Sequence, residues 1–144
     1  MKNDLPRRVC FAVGALALLA GCTVRHASPL TRHPDRLCIQ RNPAVIIEDF
    51  LPTLQAVLRE RGVQSVVNEG ATAPASCSYV LTYTARRGWD IVPYLKLIEL
   101  TVTQRDGTLV GHAEWRHRGG FGFNKWAGSR GKIERAVNDL LAAG

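Results

Sequence analysis

The sequence predicts an α+β domain. It is expected to be a two-layer sandwich in which a mixed, mostly antiparallel sheet of about five strands carries two helices on one face, in the order β-α-β-β-β-β-α. Three observations support this reading. The strand-like stretches alternate apolar and polar residues instead of running continuously apolar, which leaves one face of the sheet in water. Two further stretches repeat apolar residues at helical spacing and can cover the other face. Beyond residue 35 the chain has about 110 residues, enough for a single core. Charged residues make up 22% and hydrophobic residues 46%, close to the globular average, so wholesale disorder is excluded; 144 residues leave room for one domain.

Residues 1–21 read as a lipoprotein signal peptide. Lys2, Arg7 and Arg8 precede an uncharged apolar run from Val9 to Ala20, too short to span a bilayer and suited to a signal-peptide core. Leu19-Ala20-Gly21-Cys22 then looks like a bacterial lipobox, whose cysteine thiol takes a diacylglyceryl group after cleavage and whose new amine is acylated, commonly with palmitate. Several acyl chains on one residue hold a protein firmly, at about 0.8 kcal/mol per buried methylene. Thr23 after Cys22 resembles the outer-membrane default, which puts the domain in the periplasm. Residues 22–35, with Pro29 and Pro34 and no apolar period, read as a lipidated N-terminus and flexible tether. Residues 36–144 form the single α/β domain.

In that domain Arg36 to Gln40 is a short apolar strand ending at Asn42-Pro43, a turn and helix-start signal. From Ala44 to Arg61, Ile47, Phe50, Leu51, Leu54, Val57 and Leu58 recur at helical spacing. Pro52 should kink this helix or split off its first turn, and Gly62 should end it. Val63 to Val67 gives a second strand. Tyr79 to Arg87 alternates, as does Leu95 to Gln104, and Asp106-Gly107 turns the chain into a strand over Thr108–Arg118. Ile133, Ala136, Val137, Leu140 and Leu141 mark a closing amphipathic helix.

Of the four cysteines, Cys10 lies in the signal segment and Cys22 is spent on lipid. Cys38 and Cys77 are an even pair in an oxidising compartment, and a disulfide between them would stabilise the fold by about 4 kcal/mol. A zinc pair or a cysteine nucleophile are the rival readings, but neither residue has a C-x-x-C partner or a histidine close in sequence.

Catalytic signatures fail on inspection. Gly131-Lys132 is followed by Ile133, not the Ser or Thr of a phosphate loop. His112-Ala113-Glu114 opens a zinc-deaminase motif that never completes. His112 and His117 stand at odd spacing on one strand, face opposite sides and cannot share a metal; they read as solvated strand histidines. Neither cofactor nor metal is expected. The net charge of +7 would suit nucleic acid, a partner that an envelope lipoprotein would rarely meet. The unusual stretch is Trp115 to Lys132, with five Lys or Arg, no acid, two Trp and two Phe. It reads either as a glycine-rich loop pinned to the core by its aromatics or as a contact surface. In the second reading Trp115, Arg116, Arg118, Lys125, Trp126 and Arg130, with Arg86, Arg87 and Trp89 nearby, meet an envelope protein, anionic lipid or glycan.

The lipobox, Phe50-Leu51-Pro52-Thr53-Leu54, Tyr79-Val80-Leu81-Thr82-Tyr83-Thr84-Ala85, and Arg116-His117-Arg118-Gly119-Gly120-Phe121 with Asn124-Lys125-Trp126 carry a resemblance across nearly the whole chain. It resembles a family of small, uncharacterised envelope lipoproteins of proteobacteria. The resemblance implies an outer-membrane location and a compact α/β domain, and brings no catalytic residues with it. Two functions from different classes follow. One is a non-catalytic, membrane-tethered binding or accessory module. The other is a cell-wall or lipid-directed hydrolase using Glu99 or Glu114 with a histidine.

Overall fold

The computed structural model describes residues 23–119 and 128–142. The signal segment with its lipobox and Cys22, and loop residues Lys125 and Trp126, lie outside the described residues. Six strands and two helices follow in the order β1 (Thr23–Ser28), β2 (Arg36–Gln40), α1 (Phe50–Glu60), β3 (Gln64–Asn68), β4 (Tyr79–Asp90), β5 (Val92–Gln104), β6 (Leu109–His117) and α2 (Ser129–Leu141). The strands form one sheet in the order β1-β6-β5-β4-β2-β3. From β1 to β4 the neighbours are antiparallel; β2 runs parallel to both β4 and β3. This is the expected mixed sheet with one strand more than expected.

The extra strand comes from the segment read as a tether. Thr23 to Ser28 pairs residue for residue with β6, from Thr23↔His117 to Ser28↔His112. Periodicity could not reveal it, because Thr-Val-Arg-His-Ala-Ser holds two apolar side chains and buries neither fully. Its pairing is made by backbone hydrogen bonds, supplemented by Arg25 reaching Asp139 of α2. Leu30, just beyond, is fully buried, and its N–H donates to the Leu140 carbonyl at 2.9 Å.

The first helix also differs from expectation. Asn42 does not cap it; the Asn42 side-chain oxygen accepts from the Ala44 N–H at 3.0 Å and its carbonyl from the Val45 N–H at 3.1 Å, making a turn. The helix begins at Phe50, so Pro52 falls in the first turn, where a missing N–H leaves no hydrogen bond unmade. Gly62 ends it at a φ of +80°, which glycine adopts without penalty.

Both helices pack on one face. Phe50, Leu54, Val57 and Leu58 of α1 and Ile133, Ala136, Val137 and Leu140 of α2 close over Leu37, Ile39, Leu81, Ile98, Leu100, Val102 and Trp115 from the strands. Phe50 stacks on Tyr83 with ring centroids 5.4 Å apart. Cys38 and Cys77 are bonded, their Cα atoms 5.8 Å apart, tying β2 to the residues entering β4.

Candidate contact surface

The sheet face away from the helices is polar and ordered in rows. One row runs Thr84, Glu99, Glu114, His26 across β4, β5, β6 and β1; the next runs Thr82, Thr101, His112, Ser28. Glu99 and Glu114 thus stand directly opposite each other, a like-charge pair. Arg116 offsets it, since its Nε donates to Glu114 Oε1 at 2.8 Å. His112 Nδ1 lies 3.1 Å from Thr101 Oγ1. The groove over Glu99 and His112 has a volume of about 280 Å³ and is also lined by Asn42, Thr82, Tyr83, Thr84 and Thr101. Glu99, one of the two acids named for a hydrolase, therefore has a histidine, His112, as its neighbour on an open sheet face.

The residues expected to form one basic-aromatic surface are divided by the fold. Trp115 is buried, because alternation along β6 turns it toward the helices together with His117. Its indole N–H has no hydrogen-bond partner among the described residues. His117 is accordingly not a solvated histidine; it packs edge-on against Tyr94, ring centroids 5.7 Å apart. Arg116 is half-buried on the open face and held by Glu114, whereas Arg118 is exposed at the end of the strand. Arg130 is committed within the domain: it is bidentate to Glu60 of α1 at 2.8 and 2.7 Å and pairs with Glu134 one turn on, and these carboxylates raise its pKa.

Beneath this end of the sheet Lys132 is buried, a feature the sequence reading passed over. Its Nζ donates to the Leu95 carbonyl at 3.2 Å and lies over the rings of Trp115 and Tyr94, 5.3 and 5.8 Å from their centroids. Burial lowers its pKa to about 8, with repulsion from Arg135 adding to the effect.

Arg86, Arg87 and Trp89 lie exposed together near the end of β4. β4 and β5 run on as a two-stranded hairpin as far as Asp90↔Val92, turning at Ile91. The register shifts after Arg86, so Lys96 is an extra residue in β5 and the ribbon bends there. Tyr94 crosses Gly88 so closely that a Cβ there would lie 2.7 Å from its ring, and the ring would have to shift to admit one. At the tip Trp89 is 76% exposed, Ile91 80% and Val92 47%. Ile91 has a φ of +61°, a conformation that strains a β-branched residue by about 1–3 kcal/mol. Exposed apolar side chains held by a strained turn, with Arg86, Arg87 and Lys96 behind them, mark the candidate contact surface. Away from the hairpin, the exposed apolar residue Ile46 lies in the loop after β2, beside the acidic residues Glu48 and Asp49 and over a cleft of about 570 Å³ that Arg41, Tyr83 and Glu69 help to line.

No protein-family model and no curated protein matches the sequence. Among solved structures the chain is similar to PelC from Paraburkholderia phytofirmans, crystallised as a dodecamer. The likeness is 15% identity and a TM-score of 0.55 over 83% of this chain and 98% of that one. A single-substitution variant of the same dodecamer gives 14% identity and a TM-score of 0.55 over 85% and 96%. A minor lipoprotein from Acinetobacter baumannii is 22% identical over 70% of this chain and 84% of its own, with a TM-score of 0.29. At these identities what the chain shares with PelC is a fold.

Proposed function

We propose that this chain is a lipoprotein of the bacterial cell envelope, anchored in the outer membrane through acyl chains on Cys22, with its domain in the periplasm. There it serves as a non-catalytic binding or accessory module. The observation that carries this reading is the β4–β5 hairpin, whose tip exposes Trp89, Ile91 and Val92 beyond a basic stem. Soluble domains normally scatter exposed apolar residues singly, and a cluster of them marks an interaction site. No helix among the described residues is long and apolar enough to cross a membrane, which is compatible with attachment through the lipobox. The PelC-like fold extends the proposal to self-association, because PelC assembles from copies of one chain.

A hydrolase reading would rest on Glu99, Glu114 and His112. Two of the three have a neighbour on one polar atom, Glu114 Oε1 accepting from Arg116 and His112 Nδ1 lying against Thr101 Oγ1. This favours a role in shaping the sheet face over acid–base work. The test of the anchor is metabolic labelling with a palmitate analogue. The chain is expected to take up label and fractionate with outer membranes, and Cys22→Ser to lose both; equal label in the mutant would overturn the proposal.

A further inference from the structure

The lipobox and the strand β1 meet without an intervening linker. Cys22 precedes Thr23, and Thr23 is already paired with His117 at the edge of the sheet. One peptide unit spans about 3.8 Å, so acyl chains on Cys22 would hold that corner of the sheet at the bilayer surface. The corner has a definite position. Thr23 lies level with the C-terminal end of β6, and β6 pairs antiparallel with β5 so that Arg116 meets Leu97. The same end of the sheet is therefore where β4 leaves and β5 enters, the end from which the hairpin projects. Leu97 and Val24 both face Arg116, so Cys22 would stand two residue levels beyond Leu97. Ile91 stands six beyond it, and at about 3.3 Å per residue the tip reaches up to about 13 Å past the level of the anchor.

Resting on the lipidation of Cys22 proposed above, we infer that the β4–β5 hairpin is a second membrane contact, laying Trp89, Ile91 and Val92 into the interfacial region of the leaflet that holds the anchor. Charge and side-chain type agree with that occupant. Tryptophan favours the headgroup level, where its ring is half apolar and its N–H can meet water or ester oxygen. Arg86, Arg87 and Lys96 stand on the stem, all exposed, where they would meet lipid phosphates; Asp90 is the hairpin's one carboxylate. Arg118, exposed at the end of β6, adds a cation at the same end. The Ile46 loop, with Glu48 and Asp49, has the opposite charge and is not part of this contact. Two attachments, one covalent and one through the hairpin, would fix the orientation of the domain on the membrane.

The test uses the lipidated full chain reconstituted in vesicles of phosphatidylethanolamine and phosphatidylglycerol at about three to one, with acyl chains brominated near the headgroup. The chain has three tryptophans. Quenching that disappears in Trp89→Phe is expected, amounting to roughly a third of the emission if the three contribute equally. Arg86→Ala with Arg87→Ala should weaken it, as should vesicles of phosphatidylcholine alone. Ile91→Asn separates docking from folding: asparagine tolerates the positive φ, so the melting temperature should hold or rise while quenching falls. Palmitate label on Cys22 is scored in the same preparation. Absent label overturns the anchor and this inference with it. Label with an unquenched Trp89 overturns the hairpin contact alone, and if Trp89 is then shielded from iodide, the tip is occupied by a second copy of the chain.

Discussion

Lys132 shows how a single position sets the behaviour of its surroundings. Its place on α2 follows from helical spacing, one residue before Ile133, on the side that faces the sheet. The long stem reaches under Trp115 and Tyr94, and the ammonium is satisfied by the Leu95 carbonyl in the gap left where β5 bends at Lys96. Burial holds its folded pKa near 8, below the ordinary 10.5. Between those values the unfolded chain binds a proton that the folded chain does not, so this group adds stability as pH rises from about 8 to 10.5. In Lys132→Met nothing titrates at that position. The melting temperature of the wild type should therefore rise relative to Lys132→Met across that window, and the difference should be flat from pH 6 to 7. A difference that falls with rising pH would mean that the folded state keeps the charge through its ring and carbonyl contacts.

Among the elements, β1 and the segment leading out of it depend on a glycine in β6. Leu30 lies across Gly111 so closely that a Cβ there would be 2.6 Å from Leu30 Cδ2 and 3.2 Å from Leu140 Cδ1. Gly111→Ala must push Leu30 off the core, and we expect a loss of about 1–3 kcal/mol in denaturant unfolding, with hydrogen exchange in β1 accelerating first. The same elements show what could be read from sequence. Both helices and strands β4, β5 and β6 were legible because their buried faces keep periods of 3.6 and 2 residues over long stretches. β1 was not, since an edge strand with little apolar surface leaves no periodic signal. Part of the candidate contact surface was legible by composition, in Arg86, Arg87 and Trp89, but its geometry was not. That Trp115 turns inward depends on which face of β6 the helices cover, and that Ile91 is the tip depends on how far β4 and β5 stay paired.

At the scale of the whole molecule the fold joins two unequal parts. The antiparallel part, β1-β6-β5-β4, is zipped along most of its length. The parallel part, β2-α1-β3, meets it through β4 at two register positions, Cys38↔Val80 and Ile39↔Leu81. Packing of α1 on α2 and the Arg130–Glu60 pair help to hold the parts together, but that ion pair is exposed to solvent screening and contributes little. The Cys38–Cys77 bond sits at this seam, one residue of it being in the paired position itself. It closes the loop that runs from the middle of β2 through α1 and β3, so its effect on the unfolded chain is about 4 kcal/mol by loop entropy. Its effect on the folded chain should be local. In Cys38→Ala with Cys77→Ala, amide protection should fall across Leu37–Gln40, α1 and β3, while β5 and β6 keep theirs, because the antiparallel part retains its own pairing and the cover of α2. A uniform loss of protection across all six strands would show that the two parts unfold as one unit and that the seam is not a line of weakness.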